Sequence, residues 1–169
     1  MLEPGQSGNT AAIIISDRVR FFCEVIIMDK YYVELFELMN KAYDMDEVPV
    51  AAIVVKDGEI IGRGYNQRIN KCSVLGHAEI IAIEEAEQAI GDWRLSDCDL
   101  YVTLEPCNMC KEIIKESRIK NVFYITKKLE FKKGFYKTNI CSCDNMLDND
   151  KIVKINNKLT EFFERKTNR

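Results

Sequence analysis

The only histidine in 169 residues, His77, stands two positions before Glu79, and Cys107 and Cys110 follow as a Cys-x-x-Cys pair directly behind Pro106. One imidazole and two thiolates make three good zinc ligands, one short of the four that close a structural site. The fourth tetrahedral position is then open to water, as in a catalytic centre. Beside such a position Glu79 has the chemistry of a general base, able to take the water's proton and return it. Each half alone has a plainer reading. A lone histidine at a helix start is commonly a cap or a packed residue, and a single Cys-x-x-Cys is also the pattern of a redox pair. Cys141 and Cys143 would supply the two further thiolates of a closed four-sulfur site, but that arrangement leaves His77 and Glu79 without a purpose. Cys23, Cys72 and Cys98 read as small buried or surface thiols.

Positioning these groups requires helices that start in the right places. Tyr32, Leu35, Phe36, Met39, Ala42 and Tyr43 recur at helical spacing and predict an amphipathic helix over roughly 29–44, with Asp29 as its cap. Val50 to Val55 is a continuous apolar strand, Asp57-Gly58 a hairpin turn, and Glu59 to Asn66 the returning antiparallel strand. Gly76 to Ile90 reads as a helix stopped by Gly91, Leu100 to Leu104 as a strand, Pro106 to about Ser117 as a helix, and Val122 to Ile125 as a strand apolar on both faces. The order α-β-β-α-β-α-β implies a three-layer α/β sandwich: a mixed sheet with an antiparallel first hairpin and parallel later strands. Both motif halves fall at helix N-termini. Two residues apart on an ideal helix, His77 and Glu79 would diverge by about 200°, so they can converge only past the helix tip. Cys107 and Cys110 are spaced to chelate from one turn, where the unpaired N–H groups favour thiolate.

The composition is ordinary for one soluble domain, with 47% hydrophobic and 30% charged residues and a net charge of −3. That charge excludes a protein that coats nucleic acid over its whole surface; any polyanion must meet a local patch. Between Lys111 and Lys137 nine cations oppose three carboxylates, a net +6 that suits either phosphate contact or a solvated face. No apolar run approaches the ~18 residues of a membrane span, and no export signal precedes the seven cysteines, so a cytoplasmic protein with reduced thiols is expected.

His77-Ala78-Glu79 with Pro106-Cys107-Asn108-Met109-Cys110 resembles the signature of the zinc nucleobase deaminases. Beyond it, Glu47-Val48-Pro49-Val50, Asp57 through Asn66, Trp93-Arg94-Leu95 and Leu100 through Cys107 resemble the bacterial tRNA-specific adenosine deaminases, the TadA family, from about Asp29 to Ile125. The resemblance implies a cytidine-deaminase-like fold, a homodimer, one zinc ion on His77, Cys107 and Cys110, and Glu79 as the proton shuttle. It further implies that Asn66 contacts the target nucleoside, that Pro49 lines its pocket, and that the substrate is a tRNA anticodon stem-loop whose wobble adenosine becomes inosine. Deamination of free nucleobases or nucleosides would share the zinc chemistry, and a non-catalytic zinc-stabilised RNA-binding module would not need Glu79. Ala51 stands where the family usually has glycine after Pro-Val, and Val74-Leu75-Gly76 where it commonly has Pro-Thr-Ala. Lys127 and Lys128 open an altered loop expected to meet phosphate, and Phe162, in a closing aromatic-basic helix, is expected either to touch RNA or simply to pack. Residues 1–27 precede the resemblance, read as dispensable or as an added edge strand, and leave 28–169 as the deaminase domain, with Met28 as its functional start.

Overall fold

A computed structural model describes residues 17–127, 139–142 and 147–167, with side chains placed for 28–127 and 147–167. The elements run α1 (Asp17–Asp44), β1 (Ala51–Lys56), β2 (Glu59–Tyr65), α2 (Ala78–Ile90), β3 (Cys98–Leu104), α3 (Asn108–Glu116), β4 (Asn121–Thr126), β5 (Asn139–Ser142) and α4 (Asn149–Thr167). The strands form one mixed sheet in the order β2-β1-β3-β4-β5. β1 pairs antiparallel with both β2 and β3, while β3, β4 and β5 run parallel. The expected order is therefore present, and so are the antiparallel hairpin and parallel later strands. Asp57 (φ 50°) and Gly58 (φ 82°) turn the hairpin with both residues left-handed, the backbone that a tight two-residue connection demands. Gly91, at φ 75°, ends α2 with its N–H on the Glu87 carbonyl at 2.8 Å.

Two features depart from the sequence reading. α1 begins about three turns upstream of the expected start, so Phe21 to Ile27 continues a helix and is not an edge strand. A short apolar run cannot by itself distinguish the two, and no glycine or proline interrupts Asp17–Asp44. Asp29 consequently lies inside the helix and caps nothing; its carboxylate pairs with Lys151 of α4. The second departure is β5, whose four residues are too few to carry a legible alternation.

Glycines fix how closely α2 lies on the sheet. A Cβ on Gly64 would stand 2.0 Å from the Ala78 carbonyl oxygen, and one on Gly62 2.1 Å from that of Ala82. Only glycine at these β2 positions lets the Ala78–Ala82–Ala86 side of the helix settle there. Register places Ala52 opposite Gly64 and Val54 opposite Gly62, so these β1 residues share the α2 face while Ile53 takes the other. On that other face Tyr31 of α1 meets Tyr101 at 4.9 Å between ring centroids, and Tyr101 stacks on Phe123 at 4.8 Å. α4 is tied to α1 by the Tyr43–Phe162 ring contact and to the turn just after α1 by Arg165 on Asp46 at 2.8 Å. Three layers result, with β1 buried on both faces between β2 and β3.

Candidate active site

Packing of α2 and α3 on one face brings their N-termini together at the sheet edge where the ligands sit. His77 is the N-cap of α2, with extended backbone (φ −83°, ψ 146°), and Cys107 is the N-cap of α3 (φ −71°, ψ 168°). Pro106 thus precedes the cap rather than opening the helix, which starts at Asn108. The extended cap breaks the helical rotation, and His77 and Glu79 therefore line one cleft despite their spacing.

His77 Nδ1 lies 3.8 Å from Cys107 Sγ and 3.5 Å from Cys110 Sγ, and the two sulfurs are 3.5 Å apart. A tetrahedral zinc with Zn–S of about 2.3 Å and Zn–N of about 2.0 Å requires donor separations of roughly 3.5–3.8 Å. The triangle already has those edges, and among the described residues these three are the group able to hold a metal. The site fits one zinc ion. Cys141 and Cys143, the expected alternative partners, lie outside the residues whose side chains are described.

Electrostatics agree with the donor set. Hydrogen bonds from the Cys110 thiol and the His77 ring lower the Cys107 thiol to about 3, whereas Cys110, the donor in that pair, is pushed up. Zinc binding would take both sulfurs as thiolates and displace the proton that the pair shares. Glu79 is 3% exposed, and burial raises its carboxyl above the usual range.

The cleft has a volume of ≈ 440 Å³, within the range of small-molecule sites. Asn66 stands on its wall. Its Oδ1 accepts the Ala78 N–H at 3.0 Å, and its own N–H donates to the Val50 carbonyl at 3.0 Å, which ties the end of β2 to the start of α2. With Oδ1 engaged, the amide NH₂ is the group it can offer a ligand. Pro49 is buried behind Val48 and Val50, which line the cleft in its place. Phe162 is 2% exposed and packs on Tyr43, while Phe163, one residue and about 100° further round α4, lines the cleft at 51% exposure. Lys127 is exposed at the end of β4; Lys128 lies outside the described residues. One charge of the +6 segment is neutralised from outside it, because Lys111 pairs with Glu105 at 2.8 Å; the Lys115–Glu112 pair at 3.6 Å is already counted within the +6.

Among the charged lining residues, sequence reasoning missed three. Glu47 is 1% exposed, and its Oε1 accepts from the Asn70 backbone N–H at 2.8 Å and the Asn70 amide at 3.0 Å. Glu105 and Arg68 are the others. A single glutamate or arginine between elements carries no periodicity that marks it as inward-facing. Gly76 does leave a trace: a Cβ there would sit 2.7 Å from Arg68 Cα, which explains glycine at this position.

Residues 27–126 match the family described as the cytidine and deoxycytidylate deaminase zinc-binding region. The chain is 45% identical over 91 residues to a tRNA-specific adenosine deaminase of Streptococcus pyogenes serotype M18 (strain MGAS8232), covering 54% of this chain and 57% of that protein. The matched segment thus spans little more than half the length of that relative. A chain solved in a study of A-to-I editing by tRNA deaminases at the wobble position of transfer RNA superposes with a TM-score of 0.65 at 31% identity, covering 75% of this chain and 99% of that one. Guanine deaminase from Bacillus subtilis superposes with a TM-score of 0.55 at 34% identity, over 59% of this chain and 64% of that one.

Proposed function

The chain belongs to the cytidine and deoxycytidylate deaminase zinc-binding family, and from that premise we propose that it hydrolytically deaminates the wobble adenosine of a tRNA anticodon loop to inosine. The observation that carries this reading is that His77 and Cys107 of the metal-binding triangle line one cleft of nucleobase-accepting size together with the buried Glu79, with Cys110 behind them. His77, Cys107 and Cys110 would hold a zinc ion there, which would supply a water of lowered pKa. Glu79 would take one proton of the attacking water as oxygen bonds to carbon 6 of adenine and deliver it to ring nitrogen 1, then carry the proton of the new carbon-6 hydroxyl to the amino group, so that the bond from carbon 6 to that nitrogen breaks and ammonia leaves. Asn66 orients the base, and Phe163 offers it or its neighbour an aromatic face. An anticodon loop presents an unstacked base without melting a duplex.

The likeness to a tRNA-editing deaminase favours this substrate, and the likeness to a guanine deaminase favours a free base as the second reading. Rates on an anticodon stem-loop with wobble adenosine, on free adenosine, on guanine and on cytosine, measured side by side, separate the two. The stem-loop should be deaminated far faster than any free compound; guanine turned over faster than RNA would select the second reading. Stem-loop affinity should also fall steeply with salt, and replacing Lys127, Lys128, Lys132 and Lys133 with alanine should flatten that dependence.

The deaminase unit in this reading is residues 28–169, acting as a homodimer, and a tRNA substrate with reduced thiols suits the cytoplasm. Among the described residues no helix is long and apolar enough to cross a membrane. Deleting residues 1–27 removes the first part of α1 and should leave melting temperature, zinc content, stem-loop deamination and sedimentation as a dimer unchanged. Marked loss of any one would assign the upstream helix to the fold.

A further inference from the structure

Arg68 brings a cation to a cleft whose other charged walls are carboxylates. Those carboxylates are engaged: Glu47 accepts two bonds from Asn70, Glu105 pairs with Lys111 at 2.8 Å, and Glu79 meets the Cys110 thiol. Arg68 is exposed, and among the described residues no carboxylate takes its guanidinium in a hydrogen bond or ion pair. It nevertheless lines the same cleft as His77, a metal ligand, so the charge sits at the mouth of the reaction centre and not out on the general surface.

The backbone beneath that side chain is held from several directions. The Ser73 N–H donates to the Arg68 carbonyl at 3.1 Å, and the Gln67 N–H donates to the Gly76 carbonyl at 2.8 Å. Gly76 lets the two arms of the loop approach to a distance that no Cβ would permit. Asn70 ties the same loop to buried Glu47 and to the Met45 carbonyl. An arginine whose main chain is fixed and whose guanidinium stands in solvent beside a base-sized cleft is preorganised for an anion that arrives with the base. The anion covalently attached to a nucleoside within a strand is its phosphodiester, and guanidinium matches phosphate geometry with paired donors.

We propose that Arg68 is a specificity-determining residue that binds the phosphodiester flanking the target nucleoside, so that a nucleoside within a strand is preferred over a free one. The inference rests on the RNA-deaminase reading above. Its test uses the full-length zinc-loaded protein, a fluorescent anticodon stem-loop carrying wobble inosine as an unreactive probe, and the variants Arg68→Ala, Arg68→Gln and Arg68→Lys. In Arg68→Ala and Arg68→Gln the stem-loop should bind about tenfold more weakly, and the slope of log affinity against log salt should shrink by about 0.7, the value for one single-strand phosphate contact. Arg68→Lys should restore the slope, because it retains the charge. On the adenosine stem-loop the loss should appear mainly in KM, since the contact is made in ground and transition states alike. Zinc content and melting temperature should match the wild type. Wild-type affinity and slope in both neutral variants, with an enzyme that deaminates the stem-loop, would overturn this inference alone. A wild-type protein that neither binds nor deaminates the stem-loop would overturn the RNA reading and this inference with it.

Discussion

Glu79→Gln should retain zinc and fold and lose turnover by roughly 100-fold to 10,000-fold, the range contributed by a general acid-base group. Glutamine has the same shape, so no cavity opens at a position that is 3% exposed. It also removes a carboxyl whose ionisation burial already opposes. What it cannot do is accept the water's proton or return one to the ring. Since the carboxylate acts at the proton-transfer steps, the loss should fall on kcat, with stem-loop affinity near that of the wild type. Zinc measured by atomic absorption alongside single-turnover rates checks both halves of the expectation. Full turnover in a zinc-replete variant would remove Glu79 from the mechanism.

His77→Ala should abolish zinc retention and activity together. The variant leaves two sulfurs 3.5 Å apart and no nitrogen donor, too few ligands for the tetrahedron that the wild-type triangle matches. Because the ligands bridge the starts of two helices, metal binding should also be felt as stability. At free zinc a thousandfold above its Kd, linkage contributes about 4 kcal/mol. In a chain of this size that is a melting-temperature shift on the order of 10 °C. Wild-type protein should therefore melt markedly lower after chelation and recover with added zinc, and His77→Ala should melt at one temperature in both conditions. Undiminished zinc in His77→Ala, or no response of the wild type to chelation, would contradict the assigned ligands.

The ligand triad was legible because zinc chemistry restricts its donors to a few residue types, and His77 is the only histidine available. The hairpin and the end of α2 were legible for a similar reason: Asp57-Gly58 and Gly91 adopt backbone angles that few other residues tolerate. The upstream part of α1 was not, since Phe21 to Ile27 is equally compatible with strand or helix until the tertiary structure decides. The cleft walls were the least readable part. Which of Phe162 and Phe163 faces the cleft depends on the rotation of α4 about its own axis, set by Ile155 and Leu159 packing beneath it together with the Arg165–Asp46 pair. Glu47 became part of the site only through Asn70, which lies on a loop more than twenty residues away and has no periodic relation to it.

Glycine positions show the same division. Gly62 and Gly64 look permissive within a strand, yet the carbonyls of Ala82 and Ala78 at 2.1 and 2.0 Å from a notional Cβ make them obligatory for the seat of α2. The start of that helix carries His77 and Glu79, so the catalytic geometry depends on backbone approach across the sheet as much as on the residues that do the chemistry.

The central claim is that these residues hydrolyse the amino group of an adenine presented in an RNA loop. It is tested most directly by incubating the zinc-loaded protein with a wobble-adenosine stem-loop in heavy-oxygen water and analysing the digested nucleosides by mass spectrometry. The expected result is inosine at the wobble position carrying one heavy oxygen, formed by the wild type and reduced at least 100-fold in Glu79→Gln. Unaltered adenosine in the RNA, or inosine formed without the label, would contradict it.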